Sequence, residues 1–356
     1  MLQRGTIMTT ALAIIALSVL AAAVPQRMAH ADIFSGKTVT MIIGSASGGP
    51  TDSSGRLVGR FLARYLPGAP SVVVQNMPGA SGVTALTYFV QQTRPDGLTV
   101  FMGANSVVDP VVYRRAKAQY DAKTIRMAGG VGLGGTLMFI SQEAEKRLYD
   151  KALAPVIVGN SGTHVAPGTQ PAMWGIEYLG WNARWVVGYP GIPELMLAFD
   201  RGEVDLASTA DLTLLRERLK GGRLKVLLQG GSLQNGKLVG RPEFGDVPIF
   251  RNMMNGKITD PTAQKAFDYW VAGSNIDKWL GLAPLTPDAI LAIYREVFRK
   301  FAADREFMES GEKLSSGFSV AAAEDVETFV RVLADTPQEA LTYLTDLMRK
   351  QGLRVQ

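Results

Sequence analysis

The sequence predicts an α/β protein of two domains, each a mostly parallel sheet flanked by helices. Three observations carry that prediction. The chain has 356 residues, more than one domain of ~100–200 residues needs, so two cores fit. Hydrophobic residues make up 47% and charged residues 19%, the balance of a globular chain rather than a disordered or fibrous one. Short β-branched runs also alternate with amphipathic stretches, and that alternation builds parallel sheets covered by helices.

The elements follow in order. Thr38–Ile43 (TVTMII) is an apolar run that ends in the glycine-rich turn Gly44–Pro50, and so reads as a buried strand. A helix is expected from Ser53 to Leu66, with Leu57, Val58, Phe61, Leu62 and Leu66 on one face and Pro67-Gly68 as its stop. Ser71–Gln75 is a second strand, Asn76–Gly82 a second glycine turn, and Val83–Gln92 a second helix. Asp96-Gly97 turns the chain into a strand at Leu98–Met102. Further on, strands are expected at Pro155–Val158, Arg184–Val187 and Lys225–Gln229, with helices at Pro193–Arg201 and Leu212–Lys220. Thr286-Pro287-Asp288 reads as a helix start, with Thr286 as N-cap and Pro287 at the first helical position. That helix should run to Ala303, and Ala322–Leu333 and Pro337–Gln351 close the chain as helices.

Composition removes several chemistries. There is no cysteine, which excludes disulfides, thiolate metal sites and a cysteine nucleophile. The net charge of +5 is spread along the chain without a basic run, so no nucleic-acid partner is expected. Residues 1–31 read as an export signal: Arg4 in a positive leader, an apolar stretch from Ala11 to Val24, and the small-x-small site Ala29-His30-Ala31. Cleavage after Ala31 would leave His164 as the one histidine and place the protein in a periplasm; an uncleaved anchor helix is the alternative. Two glycine motifs mimic nucleotide sites. Gly130–Gly135 fits G-x-G-x-x-G, but Thr136–Ile140 after it reads as a strand rather than a helix, so a crossing between domains is expected. Gly231–Lys237 resembles a phosphate loop, yet Leu238 stands where a hydroxyl must hold magnesium.

The informative feature is a pair of turns, Gly48-Gly49-Pro50-Thr51-Asp52 and Asn76-Met77-Pro78-Gly79-Ala80-Ser81-Gly82. Each follows an expected strand and precedes an expected helix, at the sheet edge where open α/β proteins bind ligands. A helix start offers unpaired N–H groups and a partial positive charge, and glycine lets a ligand come close to the backbone. Two such starts facing one crevice suit a carboxylate or another small anion. The residues equally allow two ordinary turns, with Thr51 or Asp52 as an N-cap.

At these residues the chain resembles the solute-binding receptors of tripartite tricarboxylate transporters, the Bug or TctC-like family. The stretches that carry the resemblance are GGPTD (Gly48–Asp52), NMPGASG (Asn76–Gly82) and RPDGLTVFMG (Arg94–Gly103), in the family's order and spacing. Val187–Ala207 and Leu282–Ile290 extend it more weakly. Met77 and Ser81 depart from the family pattern, which usually has arginine and glycine there. The resemblance implies a type II-like periplasmic binding fold with a ligand cleft between domains. One carboxylate would be held by Gly48, Gly49, Thr51 and Asp52 and by Pro78, Gly79, Ala80, Ser81 and Gly82. The loop Gly159–Thr169, with Ser161 and His164, would face the ligand from the second domain.

The implied protein is a periplasmic receptor that captures a small organic carboxylate for inner-membrane transporter subunits, as a monomer, with no cofactor, no metal and no enzymatic activity. Domain 1 would hold residues 32–128 plus 248–356 and domain 2 residues 129–247, with the C-terminal helices returning to the first domain. Three alternatives stay open: a secreted hydrolase using Ser161 and His164, a receptor serving sensing rather than transport, and a phosphate or sulfate binder. Trp174, Trp181 and Trp185 read as core of the second domain, although one could stack on an aromatic acid.

Overall fold

The structure, a computed structural model, describes residues 33–354 apart from 133–134, 162–164, 166–167, 235–236, 275 and 316. The chain begins with β1 (Thr38–Ile43), α1 (Pro50–Tyr65), β2 (Ser71–Asn76), α2 (Val83–Gln92), β3 (Thr99–Ala104), α3 (Pro110–Arg115) and β4 (Arg126–Gly132). It continues with β5 (Leu137–Ser141), α4 (Glu145–Tyr149), β6 (Val156–Ser161), α5 (Gln170–Tyr178), β7 (Ala183–Tyr189), α6 (Ile192–Asp200), β8 (Leu206–Thr209), α7 (Thr213–Lys220) and β9 (Leu224–Gln229). A hairpin of β10 (Ser232–Gln234) and β11 (Lys237–Val239) follows, then α8 (Phe250–Met253) and α9 (Pro261–Gly273). The chain closes with β12 (Lys278–Leu282), α10 (Asp288–Ala303), α11 (Arg305–Leu314), β13 (Ser319–Ala321), α12 (Ala323–Ala334) and α13 (Gln338–Lys350).

Two main sheets result. The first has the order β13-β4-β12-β3-β1-β2 and the second β7-β6-β8-β5-β9. β1 lies parallel to β2 and β3, as the βαβαβ alternation requires, while β12 and β13 enter antiparallel. In the second sheet β6 is parallel to β7 and β8, and β5 is antiparallel to β8 and β9. Both sheets are therefore mixed, because strands that return from distant parts of the chain need not keep the direction of local crossovers.

Strand periodicity decides which helix covers which face. Val39, Met41 and Ile43 point to one side of the first sheet and meet Val58, Phe61 and Leu62 of α1 and Tyr294, Phe298 and Phe301 of α10. Ile42 and Phe101 point to the other side, with Leu86 and Phe89 of α2 and Val326, Phe329 and Val330 of α12. In β5, Leu137 and Phe139 pack with α6, whereas Met138 and Ile140 share a core with Trp174 of α5, Phe267 of α9 and Leu344 of α13. The C-terminal helices thus divide. α10 to α12 return to the first sheet, while α13 packs on the second sheet's side, where the sequence reading did not put it. Trp174 and Trp181 are core residues there, and Trp185 Nε1 donates to Gln351 Oε1 at 3.0 Å.

Three local readings change. α1 begins at Pro50, with Gly49 as its N-cap, so neither Thr51 nor Asp52 holds that position. Thr286 does not cap α10; its hydroxyl donates to Ala283 O at 2.7 Å and Pro287 takes the N-cap position. β4 runs through Gly129–Gly132 in the first sheet, so the crossing to the second sheet is the short span 133–136 rather than the whole glycine stretch. Among the described residues, no helix is long and apolar enough to cross a membrane; residues 1–31 and the export signal read there lie outside them.

Candidate ligand-binding site

The two glycine turns meet because their strands are neighbours in register. Ile43 at the end of β1 pairs with Asn76 at the end of β2, and Met77 N–H donates to Ile43 O at 2.9 Å. The turns then touch through glycine. A Cβ on Gly44 would lie 2.9 Å from Gly82 Cα, and one on Gly82 would lie 2.7 Å from Val107 Cγ1. No side chain fits at either position, so the close approach of the two backbones rests on their glycines.

The second turn is tightly wound. Gly79, Ala80, Ser81 and Gly82 have φ of 145°, 46°, 56° and 95°. Ala80 and Ser81 occupy a conformation that costs an L-residue of order 1–3 kcal/mol. Ser106, just beyond β3, donates its hydroxyl to Ser81 O at 2.9 Å and helps to hold that geometry. In the first turn Gly48 carries the positive φ, 84°, while Gly49 at −78° is ordinary backbone.

Asp52 braces the two turns. It is 2% exposed. Its Oδ2 accepts from Gly48 N–H at 2.8 Å and from Arg56 Nε at 2.9 Å, and its Oδ1 accepts from Asn76 Nδ2 at 2.9 Å. Asn76 Nδ2 donates as well to Ser45 O at 3.0 Å. The Arg56 hydrogen bond holds the Asp52 carboxyl down at about 2, aided by Gly48 and Asn76 and opposed by burial.

Together the turns enclose a cavity of about 340 Å³. Gly44, Ser45 and Thr51 line it from the first turn and Pro78, Gly79, Ser81 and Gly82 from the second, with the end of β3 and Ser106 behind them. None of the lining residues is ionisable. What the site offers is the backbone amides of the turns, the hydroxyls of Thr51 and Ser81, and the positive ends of α1 and α2, since the hydroxyls of Ser45 and Ser106 already donate to Ala46 O and Ser81 O.

Of the expected site residues, Thr51, Pro78, Gly79, Ser81 and Gly82 line this cavity. Gly48, Gly49, Asp52 and Ala80 belong to the turns but not to its lining. Ser161 ends β6 on the second sheet and is not part of this cavity, and His164 lies outside the described residues. Gly44, Ser45, Ala104 and Ser106 were not anticipated. Their signal was positional: all four stand at the carboxyl ends of β1 and β3, neighbouring strands that run parallel to each other. The phosphate-loop mimic at 231–237 falls on the β10–β11 hairpin, which lacks the following helix that such a loop needs.

No family model matches the chain. A UPF0065 protein of Bordetella pertussis (strain Tohama I) is 26% identical over 293 residues, which cover 79% of this chain and 81% of that protein. Among solved structures, a TctC solute-binding protein from Polaromonas superposes with a TM-score of 0.61 at 18% identity, over 88% of this chain and 98% of that one. A protein of R. palustris solved with adipate superposes with a TM-score of 0.50 at 17% identity, over 89% of this chain and 98% of that one. The chain is thus similar in sequence to a UPF0065 protein and has the α/β fold of a TctC solute-binding protein, in agreement with the resemblance carried by GGPTD, NMPGASG and RPDGLTVFMG.

Proposed function

We propose that this protein is a periplasmic receptor that captures a small organic carboxylate between the two glycine turns and presents it to inner-membrane transporter subunits. The observation that carries the proposal is the cavity itself. Two helix starts border it, Thr51 and Ser81 bring hydroxyls to its lining, and no carboxylate side chain lines it to repel an anion. Asp52, the nearby acid, is turned away into bonds with Gly48, Arg56 and Asn76. A structural neighbour solved as a solute-binding protein and another solved with adipate support a carboxylate over a phosphate, and binding over catalysis. Ser161 and His164 would meet the far end of the ligand from the second sheet, and residues 1–31 would direct export.

The test starts from protein recovered in a periplasmic fraction, its amino terminus sequenced and expected at Asp32 within a residue or two. A thermal-shift screen then covers mono-, di- and tricarboxylates, aromatic acids, phosphate and sulfate. A true ligand at ~100 times its dissociation constant adds ~2.7 kcal/mol to the folded state, and calorimetry should show saturable binding of a carboxylate. Binding of phosphate or sulfate alone would overturn the reading. So would turnover of a model ester that disappears in His164→Ala.

A further inference from the structure

The donors of the turn cavity stand in its two turns, next to the starts of α1 and α2. The rest of its wall is the end of β3 and the segment after it, where Ala104 and Ser106 are half-buried. The side chains of that wall are apolar apart from the Ser106 hydroxyl, which is given to Ser81 O at 2.9 Å.

Among the described residues, no cation lines the cavity. Two described cations stand beside it, and both are engaged. Arg56 gives Nε to Asp52 Oδ2 at 2.9 Å and Nη2 to Asn76 Oδ1 at 3.3 Å. Lys278 of β12 lies in register with Ala104, but its buried side chain turns to Asp277, with Nζ 2.5 Å from Oδ2. The second sheet is uncharged at the matching ends of two parallel strands. β6 ends in Asn160 and Ser161, and β8 in Ser208 and Thr209.

We propose, resting on the carboxylate reading above, that this receptor selects monocarboxylates with an uncharged tail over di- and tricarboxylates. The first carboxylate meets backbone amides and two helix starts. A second one would leave water for a wall that has no free cation to give it, and a buried charge without a partner is costly. A tail of carbon or hydroxyl groups does not incur that cost. Selection therefore comes from what the site withholds from the second charge as much as from what it offers the first.

Calorimetry on the full chain tests this with butyrate against succinate, hexanoate against adipate, and benzoate against terephthalate. Butyramide, hexanamide and benzamide serve as neutral controls. At least one monocarboxylate should bind saturably, about tenfold or more tighter than its dicarboxylate and than its amide. A dicarboxylate that binds as tightly as its monocarboxylate, or tighter, would overturn the proposal and leave the carboxylate reading standing. Amides that bind as well as the acids, or acids that do not bind at all, would overturn both. Lys278→Met and His164→Ala give a second measurement, since His164 lies outside the described residues. Neither should weaken a dicarboxylate more than its monocarboxylate. A selective loss in either variant would show a cation receiving the second carboxylate, and the proposed selection would fall.

Discussion

The carboxylate of Asp52 receives donors from Gly48, Arg56 and Asn76 although the side chain is almost wholly buried. Read locally, the residue is a helix cap that faces a ligand. In the fold it stands third in α1 and ties the first turn to the end of β2. Asp52→Asn turns one acceptor into a donor that faces Arg56 or Asn76 Nδ2, and should cost about 1–3 kcal/mol of stability at pH 7. The pH dependence has a definite sign. The folded carboxyl sits at about 2, below its ordinary 3.8, so its contribution is full above that ordinary value and is lost as pH falls toward 2. Urea melts of parent and variant should therefore differ by a constant amount above pH 5 and converge below pH 4. A difference that is flat down to pH 2 would show that the charge of Asp52 is not what stabilises the turns. Gly79 offers a second test. Its φ of 145° disfavours any side chain, and a Cβ there would press on Thr84 Oγ1 at 2.8 Å. Gly79→Val should abolish carboxylate binding in a protein that still folds. Gly245→Val is the control, because Gly245 is exposed with φ −49° and has room for a Cβ. Gly352 would serve less well, since its φ of 74° strains a valine by itself. Parent-like affinity in folded Gly79→Val would place the anion elsewhere.

At the scale of elements, most strands and helices with strong local periodicity were legible within a residue or two at their ends. β1 and α2 fall on the expected ranges, β2 and β9 differ by one residue at one end and α13 by one at each, while α1 starts three residues before the expected Ser53. β4 was not legible, because Gly130 and Gly132 belong to the stretch Gly130–Gly135 that read as a crossing between domains. The structure gives the reason for these glycines. A Cβ on Gly129 would overlap Phe298 of α10, and one on Gly130 would lie 2.9 Å from Val326 of α12. Helices press on this strand from both faces, and glycine makes room for them. Gly129→Ala should therefore destabilise the fold by about 1–3 kcal/mol through overpacking, seen as a lower midpoint in denaturant at unchanged slope. An unchanged midpoint would mean that Phe298 repacks freely and the strand's glycine content has another cause.

At the scale of the whole molecule, the second sheet depends on the chain's last helix. Leu344 of α13 is 8% exposed and shares a core with Trp174, Trp181 and Phe267. Trp174 stacks on Tyr343 at 6.4 Å, and Lys350 of the same helix pairs with Glu177 at 2.7 Å. Leu344→Ala should cost about 2–5 kcal/mol and shift tryptophan emission to the red, because the cavity opens beside buried indoles. Loss of stability without a spectral change would put the defect on the first sheet instead. What the sequence by itself determined is local: the βαβαβ start, the two glycine turns at strand ends, and the proline-marked helix starts. Each of these follows from residues within a few positions of one another, whose backbone preferences act before any tertiary contact forms. Only the tertiary structure decided the antiparallel entry of β12 and β13, the covering of the second sheet by α13, and the contact of Gly44 with Gly82. It alone turned Asp52 from a cap into a brace, since its partner Asn76 lies 24 positions along the chain. The physical reason is the same in each case: burial and hydrogen-bond satisfaction are set by whichever residues meet in space, and a sequence pattern records the need for a partner without naming it.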